Sequence, residues 1–443
     1  MSNRYLEIAV SNKSSDGKMS FKNGISNLIF QLPAINGTLI PSSVRISGKI
    51  KFIMDDEGAV PSGVLSASSR LGVYGAFQSL TTRSIKHQQT IESIRHYAHF
   101  LSNYLPLTTS TDDVCENLSQ TSLTLPNWSM YQEQVVQNNG GKDLDGNEFC
   151  LPLPCGLFNG TTDIPLNDTM LGGIEIVLGL ASDSQMLFSS NGATGTINTA
   201  YYEFSDLKLC CEVRDYTPDE LSRFMKSSGS NFTYQTISSY YDTINSAQAN
   251  IWFNLGLSKV RSVFTSFIPS SYLNNRAEDG YATLIPSNTD GIQAAITKVS
   301  WQKGGSLYPK HFEMNNNIRD AANTLSCDPV LLNDYVSAVS QFRNNNDTRI
   351  GPANCNRGTM IVNSNLTQNQ VQYTEVVNGG FTWGLGISYD QLGGSGSDFS
   401  VPGESWGLNI ESELTTNRPH SVFIFVNSEI NVGFNQNGIQ VIQ

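Results

Sequence analysis

Apolar residues fall at every second position in several stretches of the chain, most cleanly from Gly37 to Phe52, GTLIPSSVRISGKIKF. There Val44, Ile46, Ile50 and Phe52 alternate with Arg45, Ser47, Lys49 and Lys51, the period of a strand with one buried face. Burial of four such side chains does not offset the entropy lost in ordering the backbone, so a second apolar sheet has to lie opposite. A β-sandwich supplies one. The same reasoning predicts strands at Ile25 to Leu32, Ser79 to Ile85, Phe149 to Phe158, Ile174 to Leu180 and Tyr201 to Val213. In the last, Leu207, Leu209, Cys211 and Val213 alternate with Lys208, Cys210, Glu212 and Arg214.

Helical spacing takes over in three places. Ile91, Ile94, Tyr97, Ala98, Leu101, Tyr104 and Leu105 predict one amphipathic helix, ended by Pro106. Asp328 caps and Pro329 opens another, with Leu332, Tyr335, Val336, Val339 and Phe342 as its apolar stripe. Near mid-chain, Thr217-Pro218-Asp219-Glu220 is a capping box, which predicts a helix from Pro218 to Met225 with Phe224 or Met225 packed between domains. Ser227-Ser228-Gly229-Ser230 then offers a glycine stop.

The order of elements is similar on the two sides of that short helix. Beyond it, Phe232, Tyr234 and Ile237 resume a strand, Asn250 to Pro269 supplies two more, and Ile296 to Trp301 precedes the second long helix. Phe381 to Ile387, Ser405 to Leu414 and His420 to Phe434 follow. Gly156 to Leu180 parallels Gly384 to Leu414, and Tyr201 to Tyr216 parallels Ser421 to Asn435, as repeated pattern with weak identity. A chain of 443 residues also exceeds the size at which one core stops growing. The expected division is 1–216, a helix-containing linker 217–230, and 231–443.

Composition agrees with this all-β reading with a few short helices. Asn, Ser, Thr and Gly are plentiful, and charged residues make up only 15%. A net charge of -12 argues against a dominant nucleic-acid role, since phosphate binding draws on Lys and Arg. Arg45, Lys49, Lys51, Arg83, Lys86 and Arg95 do gather early; a solvated strand face is the plainer reading, an anionic partner the sharper one. No run approaches the roughly 18 apolar residues of a membrane span, and MSNRYLEIAV has no apolar signal core. No transmembrane segment and no secretion are therefore expected.

The search for chemistry returns little. Glu92, His96 and His99 would share one side of the first predicted helix and could hold a metal, but they lack the H-E-x-x-H arrangement, and a polar helix face explains them as well. Asp143, Asp145, Asn147 and Glu148 form a faint calcium-loop pattern in which Gly146 stands too early, so a turn is the better account. Seven cysteines lack zinc-ribbon spacing; Cys150, Cys155, Cys210 and Cys211 read as reduced thiols, the last two on opposite sheet faces. Nucleophile-elbow, P-loop and dinucleotide-binding patterns are missing from the sequence. No catalytic, cofactor-binding or metal-binding residue is assigned, and no enzyme or cofactor is expected.

Four stretches carry a resemblance: GTLIPSSVRISGKIKF, QSLTTRSIKHQQTIESIRHYAHFLSNYL (Gln78 to Leu105), GGIEIVLGL (Gly172 to Leu180) and YYEFSDLKLCCEVRDYTPDELSRFM (Tyr201 to Met225). In pattern and order over nearly the whole chain, the sequence resembles the double jelly-roll major capsid proteins of the adenovirus, virophage and Polinton-like virus lineage. The resemblance implies two tandem eight-stranded jelly-roll β-sandwiches. It further implies a viral major capsid protein whose homotrimers are pseudo-hexagonal capsomers of an icosahedral shell. Neighbouring capsomers, penton and minor capsid proteins would be its partners, without sequence-specific nucleic-acid binding. It would reside in the virion capsid, made in the host cell interior and not secreted. Loops near 55–75, 107–147, 270–292 and 344–370 would build an outer tower or subunit contacts. The alternative is a carbohydrate-binding attachment protein or lectin-like sandwich, with Trp128, Trp383 and Trp406 as stacking candidates, although Trp406 opens an alternating strand and suits a core.

Overall fold

The computed structural model describes residues 2–53, 65–68, 71–108, 147–160, 162–189, 197–227, 231–281, 296–315, 329–342, 363–367, 370–374, 384–389, 396–413, 419–435 and 438–442. The alternating segments become strands. The first group is β1 (Ser2–Ala9), β2 (Asn27–Leu32), β3 (Gly37–Leu39), β4 (Arg45–Ile53), β5 (Leu65–Ala67), β6 (Phe77–Ser84) and β7 (Thr90–Ile94). It continues with β8 (Asn147–Pro152), β9 (Ile164–Pro165), β10 (Ile174–Leu180), β11 (Leu187–Ser189) and β12 (Tyr201–Asp215). Helices α1 (Tyr97–Thr108), α2 (Gly156–Asn159) and α3 (Asp183–Met186) interrupt this group, and α4 (Pro218–Ser227) follows it.

The second group is β13 (Asn231–Ile244), β14 (Gln248–Phe253), β15 (Val260–Pro269), β16 (Ile296–Lys303), β17 (Ser306–Leu307) and β18 (Met314–Asn315). After α5 (Pro329–Ser340) come β19 (Asn363–Thr367), β20 (Gln370–Thr374), β21 (Gly384–Ser388), β22 (Trp406–Ser412), β23 (His420–Asn435) and β24 (Gly438–Ile442).

Among the described residues, hydrogen-bonded ladders run only within each group. The first group pairs β1-β12-β4-β8 in one sheet and β2-β10-β6-β7 in the other. The second pairs β13-β23-β15-β21 and β14-β22-β16-β17. With the eight main strands of each group counted in chain order, the sheets read 1-8-3-6 and 2-7-4-5 in both halves. That is the jelly-roll order, and it occurs twice. The remaining strands are additions: β3 and β9 lengthen the first sheet, β24 pairs with β23, β18 pairs with β16, and β5-β11 and β19-β20 form small ladders.

The inward faces are the apolar ones. Val44, Ile46, Ile50 and Phe52 are buried with Leu28, Phe30, Leu32, Ile174, Ile176 and Leu178. The alternation in β4 skips a beat at Gly48 because β12 bulges opposite it, where Asp206 takes a positive φ of 54°. A Cβ on Gly48 would lie 2.9 Å from Leu207 Cδ2, so the Leu207 side chain occupies the place that a residue at 48 would fill.

Two expectations are corrected. The predicted helix from Ile91 is a strand as far as Ile94; α1 starts only at Tyr97 and runs past Pro106 to Thr108. The strand expected to reach Phe158 ends at Pro152, and α2 takes its place. The N-terminal segment, in which Leu6, Ile8 and Val10 alternate, is a full strand against β12. By contrast, the capping box forms as expected: Thr217 N and Oγ1 each donate to Glu220 Oε2 at 3.0 Å, and Glu220 N donates to Thr217 Oγ1 at 3.4 Å. The Phe224 and Met225 side chains, the Asp328 cap and the Gly229 stop lie outside the described residues.

Candidate functional site

The most elaborated part of the molecule is the junction between the two sandwiches. It begins at β23, which is buried on both faces. Val422, Ile424 and Val426 belong to the second sandwich's own core, while Phe423 and Phe425 turn the other way and join the larger cluster that contains the first core. On β15, Phe264 turns outward in the same way beside inward Val263.

The first half supplies α1 to cover this face. The His99 ring lies 3.8 Å from that of Phe423, and Phe100 meets Phe425 at 5.9 Å and Phe264 at 6.4 Å. α5 completes the wedge. Phe342 contacts Phe100 edge-on at 5.3 Å and Tyr104 at 5.7 Å, and the Tyr335 hydroxyl donates to Asn103 Oδ1 at 2.5 Å. Offset and edge-on rings of this kind add specific geometry to the apolar area they bury.

A second contact runs along β7 and β13. The Tyr234 hydroxyl donates to Ile91 O at 3.1 Å, and Arg95 N donates to Ser239 Oγ at 3.1 Å. Between them the Glu92 carboxylate, 2% exposed, accepts from Gly156 N at 2.9 Å, Leu157 N at 3.0 Å and Thr236 Oγ1 at 2.6 Å. Burial pushes its pKa above the usual range, and the donors from Thr236, Leu157 and Gly156 pull it back. Gly156 is required here: a Cβ would fall 1.7 Å from Gln235 O, so the α2 backbone lies directly on β13.

A third contact is an arm of the second half, residues 272–281, laid over the first. Tyr281 Oη donates to Gly75 O at 2.7 Å, and Ser68 Oγ donates to Asp279 Oδ2 at 2.8 Å. Arg276 Nη2 reaches Ala200 O at 2.7 Å, and Asn274 N reaches Gln185 Oε1 at 2.8 Å. The described part of the loop expected near 270–292 to build a tower or subunit contacts thus binds its own chain.

The sequence-level candidates are scattered by this arrangement. Glu92 is on a strand and turned into the junction, whereas His99 sits on α1, so the proposed helix face of Glu92, His96 and His99 does not exist. Among the described residues, no group of three or more His, Cys, Asp or Glu is placed to hold a metal. Cys211 is in the first core, while Cys210 on the opposite face lies 3.5 Å from Ser47 Oγ; Cys150, Cys155, Cys210 and Cys211 are free thiols. Of the early basic residues, Lys49 and Arg83 sit on strands with acidic partners, Lys49 lying 3.9 Å from Glu148 and Arg83 pairing with Glu175, whereas Lys86 is in the β6–β7 turn, where its Nζ donates to Asp168 O at 2.5 Å. Trp406 is core, 5.8 Å from Trp301. Trp128, Trp383, Asp143, Asp145, Cys115, Cys327 and Cys355 lie outside the described residues.

One exposed aromatic has no signal in the sequence. Trp252, 39% exposed on β14, pairs with Gly407 of β22, and a Cβ on Gly407 would stand 2.8 Å from its ring. The indole therefore lies over the glycine, on the outward face of the sheet. The next outward rows of that face are Asn250, Asn409 and Ser300, then Gln248, Glu411 and Lys298.

Comparison with solved structures follows the same architecture. The chain superposes on the PBCV-1 protein VP54, as fitted into a reconstruction of the virophage Sputnik, with a TM-score of 0.57 at 11% identity, covering 100% of this chain and 96% of that one. For the Faustovirus major capsid protein the TM-score is 0.55 at 8% identity, with 98% and 90% covered. The fold is a double jelly roll. A chain of the Sputnik virophage structure shares this double jelly roll at a TM-score of 0.52 and 12% identity, with 99% and 88% covered. No family model matches the sequence, and no curated protein matches it either. The likeness therefore resides in the arrangement of the strands.

Proposed function

We propose that the chain is the major capsid protein of an icosahedral virus, with residues 1–216 and 231–443 as its two jelly rolls and 217–230 as the linker between them. The observation that carries this reading is the double occurrence of one eight-strand order within one chain, matched along nearly its full length by a viral major capsid protein. Two similar units per chain and three chains per ring give six near-equivalent corners from one gene product, an economical way to tile a shell. The working form is then a homotrimer surrounded by other capsomers, penton and minor capsid proteins, located in the virion. The junction suits that role, since it holds the two units of each chain in one fixed relation. Mass photometry of the purified protein should give particles of three times the 48.5 kDa chain, and electron microscopy should show shells under assembly conditions. Monomers alone across those conditions would reject the proposal.

Trp252 favours a second reading, a glycan-binding sandwich. Its indole is fixed over Gly407 beside a polar row of Asn250, Asn409 and Ser300, the mixture of flat ring and amides that suits a sugar. Specific glycan-array binding by a protein that never assembles would favour this role over the capsid.

A further inference from the structure

At the rim of the junction two histidines line a cavity of about 390 Å³ that is open to solvent on one side. Gln78, His96, His99 and Gln185 from the first half line it with Tyr241 and Phe423 from the second. His99 is 2% exposed, and among the described residues neither ring nitrogen has a hydrogen-bond partner; His96 Nδ1 and Gln78 Oε1 are likewise buried without a partner among them. Rings surround the imidazole instead, Phe423 at 3.8 Å, Tyr281 at 4.9 Å and His96 at 6.4 Å. Among the described residues, no acceptor stands within hydrogen-bond reach of either ring nitrogen of His99 in the closed junction.

We propose that His99, seconded by His96, is an acid-operated release on the junction between the two jelly rolls: its protonation requires α1 to part from β23. The proposal concerns the junction alone and holds whether or not the chain builds shells.

The electrostatic surroundings agree with the geometry. The titratable and charged groups on the elements around the cavity include Arg95 and His96 beside His99, Tyr241 and Asp242 on β13, His420 and Glu429 on β23, Glu278, Asp279 and Tyr281 on the arm with Arg276, and Asp183 on α3. Asp279 is engaged by Ser68 and the Tyr281 amide, and Asp183 accepts from the Tyr202 amide. Burial pushes the His99 imidazole well below its ordinary value of 6.5, and His96 adds to the effect. His96 is lowered by burial and then by Arg95. A base held below its ordinary value leaves the closed state unaffected at neutral pH. As pH falls below 6.5 the opened state takes up a proton that the closed state refuses, so the closed state loses ground. Glu92, at the same junction but raised by burial, works in the opposite sense and cannot mimic this response.

Hydrogen exchange on the full chain between pH 7.5 and 5, corrected for intrinsic exchange, tests the proposal in peptides covering α1 and β23. Their opening equilibrium should rise about tenfold per pH unit for each histidine kept neutral, starting near pH 6.5. His99→Gln should remove most of that slope. An unchanged slope in the variant, or no slope in the wild type, would overturn the idea. Should the variant not fold, NMR titration of the wild-type histidine Cε1–H signals decides. His99 must stay neutral while the junction is closed, and a His99 that titrates near pH 6.5 without loss of α1 protection would refute the release.

Discussion

Glu92 ties the halves together because its two oxygens are divided among donors from both: backbone amides of α2 on one side and the Thr236 hydroxyl on the other. Glu92→Ala would strand those three donors in a buried place, and a denaturant titration should show a loss of about 3 kcal/mol or more, since each buried unsatisfied group costs about 1–3 kcal/mol. Glu92→Gln, which keeps an acceptor oxygen, should lose less. Nothing in the sequence marks this residue, because its partners stand far away in the chain and its own spacing fits a helix face. Gly48 is a comparable case. The interruption in the β4 alternation is visible in the sequence, but the Leu207 side chain that fills the gap is brought there by a bulge in a distant strand. Trp406 was legible as core from its place in an alternating run, whereas Trp252 gains meaning only from the glycine across from it.

Elements with local causes were the readable ones. The Thr217–Glu220 capping box lies within a single turn, and it forms as the spacing predicts. Hydrogen bonds from the Thr217 amide and hydroxyl contribute to holding the Glu220 carboxyl down to about 2. Its support for α4 is therefore complete above the ordinary value of 4.5 and fades as pH falls towards about 2. Amide exchange in α4 should follow that course, and Glu220→Gln, which keeps the side chain's reach but cannot titrate, should abolish it. The β7–α1 segment failed as a single helix for an equally local reason. Ile91 and Ile94 are three apart and both buried, and Glu92 between them is buried too, so a strand covered on both faces produces the spacing of a helix.

At the scale of the whole molecule, strand order repeats while sequence does not. Each sandwich needs only apolar alternation on its inner faces, a demand that many sequences meet, and so the repeat is visible as pattern. The junction is different: the outward residues Phe264, Phe423 and Phe425 stand directly beside inward apolar residues in strands that are buried almost throughout, so the sequence does not mark which face they take. Their partners on α1 could be assigned only after the halves were brought together. It follows that residues 231–443 expressed alone would expose this aromatic face. Size-exclusion chromatography should then show self-association or aggregation, where the full chain does not aggregate; a monodisperse, monomeric fragment would contradict the two-faced role of β23.

The contact at Gly156 has a consequence for tolerance. Side chains that meet across an interface are cushions, since a change of rotamer takes up an error of a few tenths of an ångström, but at Gly156 main chain rests on main chain at Gln235 and there is nothing to compress. The contact acts as a mechanical stop on the angle between the two sandwiches. Wherever copies of the chain close into a ring, that angle recurs once per copy, and any error in it accumulates until the last joint has to absorb the sum. A side chain at position 156 would thus leave its mark less on either sandwich than on the closure of whatever the copies build.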